Sequence, residues 1–99
     1  MPIVTIITTF YNASSTIRET IDSVIENDFD DFEFILVDDG SSDESEAIIA
    51  SYSDKRISLI KPGRIGRAEA LNLGLNYAKG EFIAILDADD VCLKMRLEL

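Results

Sequence analysis

Three carboxylates, Asp87, Asp89 and Asp90, fall within four residues at the end of the apolar run Phe82 to Leu86. Like charges packed so closely repel, and at neutral pH the repulsion is relieved by solvation, by raised pKa values or by a bound cation. A turn after a buried strand needs fewer acids than this. A divalent cation fits them better, held by one or two carboxylates with its remaining positions filled by water and substrate phosphates, as Mg²⁺ usually is. A second pair, Asp38 and Asp39, ends the apolar run Phe34 to Val37 and precedes Gly40. Taken alone, that pair also reads as an Asp-Gly turn with some helix capping. Lys61, Arg64 and Arg67 surround a loop punctuated by Pro62, Gly63 and Gly66, where they either meet phosphates or stay solvated.

The elements that must position these groups follow from periodicity. A β-branched run at 3 to 9 predicts a first strand, followed by a loop carrying Tyr11 and Asn12. From Ser15 to Asn27, Ile17, Ile21, Val24 and Ile25 share a helical face, and Thr16 with Glu19 forms a capping box in sequence. The segment 32 to 39 is apolar without alternation, as a strand covered on both faces should be. Ser41 and Glu44 form a second capping box, with Asp43, Glu44 and Glu46 suited to the first turn of a helix. A strand at 56 to 60, a helix whose Ala68, Leu71, Leu75 and Ala78 share one face and which Gly80 closes, and a strand at 81 to 87 complete the pattern. The tail from Val91 to Leu99 begins something helical. Asp28, Asp30, Asp31 and Glu33 lie in a helix-to-strand connection and read as a solvated acidic loop.

This βαβαβαβ alternation predicts an α/β fold, Rossmann-like and doubly wound, with a mostly parallel sheet and right-handed crossovers. Ligands of such sheets bind beyond the carboxyl ends of the strands, near the topological switch point. Asn12, Asp38, Asp39, Asp87 and Asp89 all fall just past strand ends, a shared placement that marks them as one candidate site.

Composition narrows the chemistry. Nineteen acidic against nine basic residues give a net charge of −10, which opposes binding along a nucleic-acid backbone. With no histidine, imidazole triads and most zinc sites are excluded. The lone Cys92 forms no internal disulfide and reads as a buried small hydrophobe. No apolar run approaches the ~20 residues of a membrane span and the N-terminus lacks a basic signal-peptide region, so the expectation is a cytoplasmic protein.

The residues resemble the GT-A glycosyltransferases of family 2, which transfer sugars from nucleotide-diphosphate donors. The segment 4 to 12 is similar to that family's opening strand and aromatic turn, and 32 to 45 to its second strand with an Asp-Asp-Gly-Ser turn. Residues 63 to 90 are similar to its helix, glycine and DxD segment. The resemblance implies that Thr9 and Tyr11 line a nucleobase pocket, with Tyr11 stacking on the base, and that Asn12 and Arg67 contribute to nucleotide binding. Asp39 would accept a hydrogen bond from the base. Asp87-Ala88-Asp89 would be the DxD element, with Asp89 the ligand of Mg²⁺ or Mn²⁺ on the diphosphate and Asp90 or Asp87 supporting ribose or metal contacts. The implied partners are a nucleotide-diphosphate sugar, UDP-sugars favoured, and a saccharide or lipid-linked acceptor, in a longer protein peripheral to the cytoplasmic membrane. The chain would be the donor-binding portion of that protein, truncated after the DxD segment, with the general base beyond Leu99 and self-association of the exposed sheet. Thr9 stands where many relatives carry proline, and Phe10 where they carry a smaller residue.

Two other readings fit part of the sequence. A nucleotide-binding module without catalysis needs only the strand-end residues. A haloacid-dehalogenase-like, Mg²⁺-dependent phosphatase fragment would use Asp87 as nucleophile and Asp89 as acid/base, but leaves the Tyr11 and Asp39 segments unexplained.

Overall fold

Runs of β-branched and aromatic residues build the strands, and the first helix buries an apolar stripe of Ile17, Ile21 and Val24. The structure is a computed structural model and describes residues 3–26 and 30–86. In chain order it contains β1 (Val4–Phe10), α1 (Ile17–Ile25), β2 (Phe32–Asp38), α2 (Ser45–Ala50), β3 (Ile57–Ile60), α3 (Arg67–Tyr77) and β4 (Phe82–Ile85). The sheet order is β3-β2-β1-β4 and every pairing is parallel. Three strands step outward in one direction, then β4 returns to the other side of β1. The switch point therefore lies between β1 and β4, and the register Phe10 to Asp38 and Val37 to Ile60 brings the carboxyl ends of β1, β2 and β3 to one rim.

Strand alternation divides the core. Val4, Ile6, Phe10, Phe34 and Leu36 face α1 and α2, where they bury Ile17, Ile21, Val24 and Ile49. Ile7, Ile35 and Val37 face α3 and bury Ala70. Each fully buried large apolar side chain contributes roughly 1.5–3 kcal/mol, so β1 and β2, lined on both faces, are the centre of stability. Tyr52 braces α1 from beyond α2: its hydroxyl donates to Asp22 at 2.6 Å, and burial, then that bond, push its pKa up to about 12. No helix among the described residues is long and apolar enough to cross a membrane.

Several local expectations are corrected. Thr16 makes no cap hydrogen bond to α1; its hydroxyl donates back to the Ala13 carbonyl at 3.4 Å. The segment from Ser41 does not start a helix, because Ser41 and Ser42 bond across to the loop after β1, and α2 begins only at Ser45. The buried face of α3 is Ala70 and Gly74, whereas Ala68 and Leu75 are exposed. A Cβ on Gly74 would lie 2.9 Å from Ile7 Cγ2, so the helix sits too close to the sheet for large residues. Glu33 is no solvated acid: its Oε2 accepts the Thr5 hydroxyl and the Lys79 N–H, each at 2.6 Å. α3 ends at Tyr77, and Gly80 instead packs on β1, donating its N–H to Thr5 Oγ1 at 2.8 Å. Asp28, Asp87, Asp89, Asp90, Cys92 and the tail lie outside the described residues.

Candidate functional site

The rim of the sheet holds together through side chains that bond to backbone. After β1 the chain turns through Asn12, whose φ of 51° is one that asparagine tolerates better than most residues. Asn12 Oδ1 accepts the Ser42 N–H at 2.8 Å, and the Asn12 N–H donates to Ser41 Oγ at 2.8 Å. Ser45 Oγ accepts the Ala13 N–H at 3.0 Å, and Asp43 Oδ2 the Ser14 N–H at 3.1 Å. The bonds from the Ser45 hydroxyl and N–H to Asp43, with that from Ser14, lower the Asp43 pKa to about 2. The loops after β1 and β2 are thus laced into one unit, and Asn12 is part of the lacing. Tyr11, half-exposed at 47%, stands beside this unit, and Thr9 is half-buried two residues before it.

Asp39 organises the third loop. It is 6% exposed, and its N–H donates to the Phe10 carbonyl at 2.8 Å, continuing the strand ladder one residue past β2. Its Oδ1 accepts the N–H groups of Ile65 and Gly66 at 2.7 and 2.9 Å, just before α3. Gly66, with φ of 91°, caps that helix without a side chain, so Asp39 also places a negative charge near the helix N-terminus. Arg64 closes the cluster: its Nη1 donates to the Asp39 carbonyl at 3.2 Å and lies 3.9 Å from Asp39 Oδ2, and its Cζ sits 3.5 Å from the centroid of the Tyr11 ring.

Below the rim, Asp38 is buried, and its Oδ1 accepts the Ser41 N–H at 2.7 Å. Its Oδ2 has no partner among the fixed donors. The neighbouring Glu46 carboxyl is able to donate to Asp38 once it is protonated. This hydrogen bond, then burial and the Asp38 charge, raise the Glu46 pKa, while Lys61 at 3.5 Å opposes the shift.

The structure therefore brings Tyr11, Asn12 and Asp39 together and adds Arg64 and the serines of the β2–α2 turn. Of the expected cations, Lys61 pairs with Glu46, and Arg67 is exposed at the start of α3. The pairing of Ile7 with Ile85, and the Leu86 N–H donated to the Ile7 carbonyl at 3.0 Å, deliver the chain to the carboxyl end of β4 beside β1. Among the described residues no group of three or more His, Cys, Asp or Glu is placed to hold a metal ion.

The sequence matches the profile of glycosyl transferase family 2 over residues 5–99. It is 40% identical over 98 residues to UDP-Glc:alpha-D-GlcNAc-diphosphoundecaprenol beta-1,3-glucosyltransferase WfgD of Escherichia coli, a match covering 98% of this chain and 39% of that protein. It is 31% identical to glycosyltransferase GlyG of Streptococcus pneumoniae, over 97% of this chain and 33% of that protein. Among solved structures, S. aureus TarS 1-349 in complex with UDP-GlcNAc superposes with a TM-score of 0.85 at 30% identity, over 92% of this chain and 27% of that one. The mannosyltransferase PcManGT from Pyrobaculum calidifontis, in complex with GDP-Man and Mn²⁺, gives 0.83 at 33% identity, over 91% and 28%. The chain thus spans well under half the length of these relatives. Its four-stranded, all-parallel α/β sheet is that of the GT-A transferases, and the chain belongs to glycosyl transferase family 2.

Proposed function

We propose that this chain carries the donor-binding portion of a glycosyltransferase that takes a nucleotide-diphosphate sugar and passes the sugar to a lipid-linked saccharide acceptor. The observation that carries the reading is the convergence of Tyr11 and Asp39 at the carboxyl ends of adjacent strands, with β4, the strand that precedes the acidic run in sequence, on the other side of β1. Tyr11 offers a half-exposed ring for a base to stack on, and base stacking on an aromatic contributes ~1–3 kcal/mol. In this reading Thr9 and Arg67 would contribute to the nucleotide site, while Asn12 and Asp39 fix the loops beside Tyr11. The neighbours in complex with UDP-GlcNAc and with GDP-Man support a nucleoside diphosphate as the ligand class. The undecaprenol-linked substrate in the name of the E. coli relative supports the acceptor class. A place at the cytoplasmic face of the membrane is part of the same proposal.

The donor set of Asp87, Asp89 and Asp90 suits a hard cation, because carboxylate oxygens are what Mg²⁺ and Mn²⁺ prefer. No rival cluster exists among the described residues. Asp89 and Asp90 would hold the ion, which when bound neutralises diphosphate charge that this anionic chain would otherwise repel. The exposed apolar residues Phe82, Ile83 and Ile85 on β4 support self-association or coverage of that strand.

Calorimetric titration of UDP and GDP, with Mn²⁺ and then with EDTA, tests the reading. Binding of at least one nucleotide, weakened by EDTA and by Asp89→Asn, is the expected result. Equal affinity in both conditions would remove the metal from the site, and no binding of either nucleotide would overturn the assignment.

A further inference from the structure

One face of the half-exposed ring that should receive the nucleobase is already covered. The Arg64 guanidinium carbon stands 3.5 Å from the Tyr11 ring centroid, the spacing of a stacked ring, and Nη1 is held by the Asp39 carbonyl at 3.2 Å. A base and this guanidinium cannot share one face of Tyr11.

The backbone beneath the side chain is fixed. Gly40, with φ of 80°, lets the chain turn so tightly that a Cβ there would lie 3.0 Å from Arg64 N and Cβ and 3.1 Å from its Cα. The next two amides, of Ile65 and Gly66, are both held by Asp39 Oδ1. Clearing the ring therefore requires no opening of the loop. Rotation of the Arg64 side chain, which is 59% exposed and has solvent to turn into, suffices.

We propose that Arg64 is a displaceable cover of the nucleobase platform, a positioning residue that holds the Tyr11 ring in place in the free protein and sets nucleoside affinity by competing for its face. The inference rests on the reading of Tyr11 as the stacking platform. It assigns a determinant of affinity to a residue whose own loop stays still. An arriving base breaks a cation–π pair at a partly exposed site and puts base stacking in its place, so the exchange is favourable but reduced by the loss of that pair.

The test uses the whole chain, with uridine and guanosine as probes, so that phosphate and metal play no part. Arg64→Ala removes the cover. Arg64→Gln keeps a donor for the Asp39 carbonyl while removing the cation, and guards against a loop that loosens in the alanine variant. Both variants are expected to bind the nucleoside about two- to five-fold more tightly than wild type, the factor to which ~0.5–1 kcal/mol corresponds. In wild type, the Arg64 Hδ resonances should be shifted upfield by the Tyr11 ring current and should lose that shift as nucleoside saturates the site. Unchanged or weaker affinity in both variants, or an upfield shift that persists in the complex, overturns the cover while Tyr11→Ala still weakens binding. If neither nucleoside binds any variant, or Tyr11→Ala changes nothing, the platform reading fails and the cover falls with it.

Discussion

Removing the Asp39 carboxylate should release the loop that leads into α3. In Asp39→Ala, the amides of Ile65 and Gly66 lose an acceptor that now holds them at 2.7 and 2.9 Å. A hydrogen bond to a charged group contributes ~1.5–3 kcal/mol, but here two donors share one oxygen, and removing a buried carboxylate recovers part of its desolvation cost. The expected net loss is therefore ~2–4 kcal/mol, which in a domain of this size lowers Tm by about 10–20 °C. Asp39→Asn keeps a carbonyl oxygen in the same place and should lose only ~1 kcal/mol, the difference between a charged and a neutral acceptor. Amide exchange read by NMR localises the effect. Exchange at Ile65 and Gly66 should rise at least about thirty-fold in the alanine variant, the factor set by ~2 kcal/mol, and far less in the asparagine variant. Unchanged exchange at both amides in Asp39→Ala, with Tm within about 2 °C of wild type, would refute this account of the loop.

Two further outcomes follow from the packing and charge described above. Gly80→Ala places a methyl 2.5 Å from Thr5 N and 2.7 Å from Val4 C, both backbone atoms of the central strand that cannot move aside, so denaturant unfolding should show a loss of ~1–3 kcal/mol or more. Gly74→Ala meets Ile7 Cγ2 at 2.9 Å, a side-chain atom that can turn away, and should lose less. Glu46 titrates above its ordinary 4.5 in the folded chain, because it donates to Asp38 when protonated, so the fold holds that proton more tightly than the unfolded chain does. Its contribution is full below about pH 4.5 and is lost as pH rises through the raised value. Glu46→Gln keeps an N–H donor for Asp38 at every pH, so its Tm advantage over wild type should be larger at pH 7 than at pH 4, and an equal difference at the two values would disprove the shared proton.

What the sequence made legible was whatever hydrophobicity and strand ends encode. Apolar runs placed all four strands within a residue or two where their ends are described. The Asp-Asp-Gly turn was foreseen at the end of the second strand, where Gly40 has φ of 80°. The inner face of α3 was misjudged because a helix pressed close to a sheet selects for small residues, and Ala70 and Gly74 carry no hydrophobic signature. The capping box at Ser41 failed because its hydroxyl found a tertiary partner in the Asn12 N–H, and local motifs are blind to residues across the fold. Glu33 could have been read correctly: strict alternation places it on the face of Ile35 and Val37, so its carboxylate needed donors. The stacking of Arg64 on Tyr11 left no trace in spacing, since it depends on how two loops from different crossovers meet.

The strand order also sets a timetable for folding. β1 is made first, yet it needs neighbours on both sides, and they arrive far apart in time. Its Thr5 meets Glu33 of β2 across a separation of 28 residues, but waits for Gly80, at the entrance to β4, across 75. Until then one edge of this buried inner strand has open N–H and C=O groups, which is the arrangement most prone to pairing with another chain. Long-range parallel pairing is slow because loop closure precedes its reward. The Thr5 hydroxyl, which receives the Gly80 N–H while donating to Glu33, is therefore a late-closing latch. Weakening it should lengthen the interval in which nascent or refolding chains aggregate, even where the finished fold is nearly as stable.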